Sequence, residues 1–185
     1  AAAEKYGVLR YYEDYDDLLA DPAVDAVTLC TPIGLHYEQA MKAIAAGKHI
    51  HLNKTMTTTR AEADEVIEAA RKAGVKLVAS PNAGHYRSTA RMREIVQSGE
   101  IGRVYWAETG TAGGGHAEMG ERHVYSDTMH LVDCILYDKE PAVSAEHARH
   151  VIEIIELGYK AAETGVTQTL TTTFDLQPWE LVHCE

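Results

Sequence analysis

Three side chains have the type and placement to do chemistry. Lys54 stands just after the short segment Lys48 to Leu52, which reads as a strand. The C-terminal ends of strands are where open α/β sheets bind ligands, so a lysine delivered there can meet a substrate oxygen or exchange a proton. The competing reading is a solvated surface lysine. His130 is the second candidate, because imidazole is the side chain whose ordinary titration falls near neutrality. Asp127 stands one turn ahead of it on a segment, 127–137, that reads as a helix, and residues three apart on a helix touch. The bland alternative is a partly exposed helix histidine. His116, Glu118, Glu121 and His123 lack the spacing of H-E-x-x-H and follow three glycines, so they read as a loop and not a metal centre. His49 and His51 share one face of a strand and read as structural. Asn82, His85 and Tyr86 follow a strand end, where a turn after Ser80-Pro81 is the simpler reading.

The elements that must position these residues alternate. Residues 1–6 read as a helix end stopped by Gly7, and Val8 to Tyr12 as a short strand. Glu13 to Ala20 reads as a short helix ended at Asp21-Pro22. Val24 to Cys30 is an apolar run suited to a strand covered on both faces. Tyr37, Ala40, Met41, Ile44 and Ala45 repeat at helical spacing and stop at Gly47. Thr59 and Glu62 have the capping-box spacing for a helix to Ala73, closed by Gly74. Val75 to Ala79 reads as a strand. Residues 87–98 read as a helix with Met92, Ile95 and Val96 inward. This order predicts parallel strands joined by right-handed crossovers. After Gly102 the pattern changes, which predicts a boundary near residue 100. Ala148, Val151, Ile152, Ile155, Tyr159 and Ala162 form an apolar stripe on a further helix, and the tail from Thr169 has strand propensity.

Composition narrows the partners. The chain has 185 residues and a formal net charge of −11, with 28 acidic against 17 basic residues. Without a basic patch, that charge repels nucleic acid and anionic membranes. Cys30, Cys134 and Cys184 are widely spaced, an odd number with no C-x-x-C, so a disulfide framework or zinc knuckle is not expected and a reducing cytoplasmic setting is. No run reaches the ~18 apolar residues of a membrane span. The start, AAAEKYG, has neither a basic nor an apolar leader region and no initiator Met, which suggests a processed or truncated N-terminus.

VDAVTLCTPIGLH followed by AIAAGKHIHLNKTM resembles the Gfo/Idh/MocA family of NAD(P)-dependent sugar and cyclitol oxidoreductases. That family's pattern is an apolar strand ending in Thr-Pro, a nearby His, then A-G-K-H-V and Glu-Lys-Pro. Here it falls on Thr31-Pro32, His36, Gly47-Lys48-His49-Ile50 and Asn53-Lys54-Thr55. GEIGRVYWAETG at 99–110, MHLVD at 129–133 and HVIEIIELGYKAAETG at 150–165 are similar to later parts of the family. The resemblance implies an α/β fold: an incomplete Rossmann-like doubly wound parallel sheet over 1–100, then a shortened C-terminal substrate or oligomerisation domain (α/β or α+β) over 101–185. It implies Lys54, His130 and Asp127 as catalytic residues, Thr31, Pro32, His36 and Asn53 on the cofactor side, NAD or NADP as cofactor, and a sugar-like small-molecule substrate. A homo-oligomer is possible on the same ground.

The departures from the pattern carry expectations too. No G-x-G-x-x-G occurs in the sequence, and little chain separates Pro141 from the last helix. Both suggest a truncated member, with weak or absent dinucleotide binding and an open apolar edge at Val24 to Cys30. Thr55 replaces the family's proline; a cis bond costs ~3–4 kcal/mol there against ~0.5–1 before proline, which predicts a trans bond. The family carboxylate more often precedes the histidine by four residues, where this chain has Ser126. The alternative function is a non-catalytic remnant, a scaffold that pairs with another chain and binds no cofactor.

Overall fold

The structure is a computed structural model that describes residues 2–80, 87–103 and 122–175. Its centre is a parallel three-stranded sheet, β1 (Ala26–Leu29), β2 (His49–Leu52) and β3 (Leu77–Ala79), in that spatial order. Each crossover is one helix: α3 (His36–Ala45) between β1 and β2, and α4 (Arg60–Ala73) between β2 and β3. Two short helices, α1 (Ala2–Tyr6) and α2 (Tyr15–Ala20), precede the sheet, and α5 (Arg87–Ser98), α6 (Arg122–Leu136) and α7 (Ala145–Thr164) follow it.

Side-chain alternation sorts the sheet into two faces. Val27, Leu29, Ile50, Leu52, Leu77 and Ala79 point one way and form one core with α3, α4 and the start of α7. Ala40 and Ala43 of α3 and Ala63 and Val66 of α4 have no exposed surface, so the helices lie close against the strands. Ile50 and Leu52 are also fully buried, each contributing about 1.5–3 kcal/mol of transfer free energy. On the opposite face Val78 meets Leu131 and Cys134 of α6, and this second layer holds His51 as well.

The helix boundaries follow their caps. Asp14 accepts from the Asp16 N–H to start α2. Thr59 and Glu62 form the expected reciprocal capping box, and Gly74 closes α4 in the left-handed conformation, φ 68°, where a side chain would be strained. Ser144 caps α7 through the His147 N–H.

Four expectations are corrected. Val8 to Tyr12 is not a strand; Val8, Leu9 and Tyr11 are exposed, and the segment pairs with none of the three strands. Arg10 and Tyr12 instead bond to Asp21. On α5, Met92 and Val96 are exposed and not inward. The stripe on α7 is only partly buried: Ala148 and Ile152 pack against the core, while Val151, Ile155 and Tyr159 are exposed. The tail has no strand over 169–175. The Glu153 carboxylate there accepts from the backbone N–H and the hydroxyl of both Thr171 and Thr172, a side-chain alternative to a ladder. Phe174 stacks on His147 with ring centroids 4.1 Å apart. These hydrogen bonds hold the Glu153 carboxyl far below the usual carboxylate range.

Among the described residues β1 and β3 are the outer strands of the sheet, and Thr28 of β1 is exposed. The cluster at His116 to His123, the segment Asn82 to Tyr86, and Cys184 lie outside the residues whose side chains are described.

Candidate active site

The C-terminal ends of the three strands are stitched together by backbone bonds. The Asn53 N–H donates to Leu29 O (3.1 Å) and the Ser80 N–H to Leu52 O (2.8 Å), so Thr31, Lys54 and Ser80 emerge on the same edge. Lys54 is exposed, and its N–H donates to Asn53 Oδ1 at 2.8 Å. The Lys54–Thr55 peptide is cis, in contrast to the trans bond expected from the missing proline. On its far side the chain re-enters the core at once, with Met56 and Thr57 each 1% exposed.

His36 spans the gap between two of these ends. It has no exposed surface; Nδ1 lies 2.9 Å from Thr55 O and Nε2 2.9 Å from Thr31 O. Both partners are acceptors, so a neutral ring donates one of these bonds and an imidazolium both. Either way the ring ties the end of β1 to the bend that carries Lys54, and neither nitrogen faces outward. Thr31 is half-buried, its hydroxyl donating to Gln39 Oε1 at 2.6 Å, and Pro32 is exposed.

Asp127 and His130 lie on α6 against the other sheet face, 3% and 8% exposed. The Ala142 N–H donates to His130 Nε2 at 3.0 Å, and Cys134 Sγ is 3.6 Å from the same nitrogen. Nε2 therefore carries the lone pair and the neutral ring holds its proton on Nδ1. Burial lowers the His130 pKa below the usual imidazole value, with Asp133 and Asp127 pulling the other way. Burial also pushes the Cys134 thiol up to about 11, which leaves it inert. Asp127 Oδ2 accepts from Ser80 Oγ at 2.5 Å, and Ser80 Oγ lies 2.6 Å from His51 Nε2. Ser80 and His51 were not among the sequence candidates; the signal available was a polar pair on neighbouring parallel strands that opens toward an aspartate-bearing helix.

A cleft of about 350 Å³ lined by Ile67, Gly74, Lys76, Pro141 and Ser144 lies at the N-terminal end of β3, away from Lys54. Among the described residues no group of three or more His, Cys, Asp or Glu could hold a metal ion, and no helix is long and apolar enough to cross a membrane.

Parallel strands with helical crossovers and polar residues gathered at their C-terminal ends define a Rossmann-type α/β protein. Residues 1–91 match a family described as Gfo/Idh/MocA, an oxidoreductase family with an NAD-binding Rossmann fold. It is 30% identical over 124 residues to D-xylose 1-dehydrogenase (NADP(+)) of Hypocrea jecorina, covering 67% of this chain and 32% of that protein. It is 35% identical over 102 residues to myo-inositol 2-dehydrogenase of Thermotoga maritima, covering 55% and 30%. A crystal structure of a mutant of KijD10, a 3-ketoreductase from Actinomadura kijaniata, in complex with TDP-benzene and NADP, superposes with a TM-score of 0.51 at 30% identity, covering 56% of this chain and 32% of that one. The chain thus spans about a third of the length of these relatives.

Proposed function

We propose that the strand-end crevice is the nicotinamide and substrate side of an NAD(P)-dependent oxidoreductase acting on a carbinol or carbonyl of a sugar-like compound. The observation that carries this reading is Lys54, exposed at the C-terminal end of β2 on a backbone anchored by Asn53 and by His36 through Thr55. The residues present suit the nicotinamide end of a cofactor: exposed Pro32, half-buried Thr31 and Asn53, and the open lysine. They do not supply a pyrophosphate cradle, since backbone amides at a glycine-rich helix start normally hold it and no G-x-G-x-x-G occurs in this sequence.

A bound nicotinamide would accept or donate the hydride. Lys54 would hold the substrate oxygen and exchange the proton that accompanies transfer. Asp127 and His130, on α6, would complete the acid–base set. His36 enters this scheme as an anchor for the lysine's backbone and not as a cofactor ligand, because the ring is fully buried and both its nitrogens face carbonyl oxygens of the protein. The second reading is a scaffold that pairs with another chain and binds no cofactor.

Two measurements on the purified chain test the proposal. Titration by nicotinamide fluorescence is expected to show binding of NADH or NADPH weaker than micromolar. At millimolar cofactor, with a panel of sugars and cyclitols, slow turnover is expected, and Lys54→Ala should lower it by about 10²–10⁴-fold, the usual contribution of a positioned acid–base group. Turnover untouched by the substitution would sink the role of Lys54. No cofactor signal at any concentration would favour the scaffold.

A further inference from the structure

His51 sits within β2 with 1% of its surface exposed, and its contacts run in one direction. Nε2 is 2.6 Å from Ser80 Oγ, at the end of β3, and Ser80 Oγ is 2.5 Å from Asp127 Oδ2 on α6. A hydroxyl has one proton to give, and an ionised carboxylate can only accept. Ser80 therefore donates to Asp127 and receives the Nε2–H of His51. The ring is then the Nε2–H tautomer, with Nδ1 a buried lone pair that has no partner. Burial favours this neutral ring by lowering its pKa, against the opposing charge of Asp127.

The three residue types are those of a nucleophilic triad, but the order is different. In a triad the carboxylate orients the imidazole and the imidazole takes the serine proton. Here the carboxylate takes it, and the imidazole is a donor. Ser80 is held and not activated.

We propose that Ser80 is a positioning residue: the relay from His51 through Ser80 to Asp127 ties α6 to the ends of β2 and β3 and fixes the turn that carries His130. Its members come from three elements far apart in sequence, so the relay closes only when α6 is seated on the sheet. Its service to an acid–base helix rests on the oxidoreductase reading. The relay itself does not.

The test uses the full 185-residue chain, isotopically labelled, with Ser80→Ala and Ser80→Thr. Imidazole ¹⁵N spectra of the unsubstituted chain should show His51 as the Nε2–H tautomer with a slowly exchanging ring proton. Ser80→Ala should speed hydrogen exchange of the α6 amides from Thr128 to Cys134 by about tenfold, as expected for losing a hydrogen bond to a charged group. Ser80→Thr, which keeps the hydroxyl, should restore the slow exchange. An Nδ1–H tautomer for His51, or α6 exchange that Ser80→Ala leaves unchanged, would overturn the proposal. If Ser80→Ala does not fold, the tautomer in the unsubstituted chain decides alone. Nicotinamide titration of the same samples reads the oxidoreductase proposal separately, since an intact relay without cofactor binding removes only that reading.

Discussion

His36 does structural work that the crevice depends on. Its fully buried ring reaches one carbonyl at the end of β1 and another beside Lys54, both at 2.9 Å. Removing the ring takes away the one donated bond of its neutral form, or both of the imidazolium, and leaves the space of a fully buried side chain empty. His36→Ala is expected to cost about 3 kcal/mol, combining lost bonds with cavity formation. The shift of the urea unfolding midpoint at unchanged slope would measure it. A loss below about 1 kcal/mol would mean that the two contacts add little beyond what water supplies.

Among the elements, α4 is the one whose start is best secured. Thr59 accepts from the Glu62 N–H, while the Glu62 carboxylate accepts from the backbone of Thr58 and Thr59. The next residue, Arg60, reaches α7 through Glu153, and its N–H donates to Glu156. The cap thus opens the helix and seats α7 at the same corner. Thr59→Ala should destabilise the protein by about 1 kcal/mol, the usual value of an N-cap hydroxyl. Thr59→Ser, which keeps the acceptor, should recover most of it in the same denaturation assay. Equal losses in both variants would assign the effect to packing of the threonine methyl.

For the whole molecule the sign of the pH dependence follows from its buried imidazoles. Burial lowers the pKa values of His49, His51, His130 and His147 from the ordinary 6.5. As pH falls below 6.5 the unfolded chain takes up these protons before the folded one, so their stabilising contribution is complete above 6.5 and lost on acidification. Glu153, depressed from 4.5, adds a second loss in a lower window, as pH falls below its unfolded value. Acidification also relieves repulsion within a chain of net charge −11, but surface charges are screened over about 8–10 Å while desolvated groups are not. The melting temperature is therefore expected to fall as pH drops from about 6.5 to 5 in a thermal unfolding series. A rise over that interval would show that net charge dominates.

The local order of this protein was legible in its sequence because it depends on neighbours in the chain. Periodic alanines and isoleucines, the Thr59 cap and the glycines after α3 and α4 act within a turn or two, and the parallel sheet follows from their alternation with apolar runs. Lys54 at a strand end was legible for the same reason. What only the tertiary structure decided depends on partners far away in sequence. Val8 to Tyr12 has strand-forming residues but no ladder, and Met92 and Val96 of α5 and Ile155 and Tyr159 of α7 are covered by none of the described residues. His36 reads as a polar residue in a first helical turn until the fold brings Thr31 and Thr55 to either side of its ring. His51, Ser80 and Asp127 lie on three elements, and no spacing rule joins them. A hydrogen bond between distant segments exists only once the core has brought them within 3 Å.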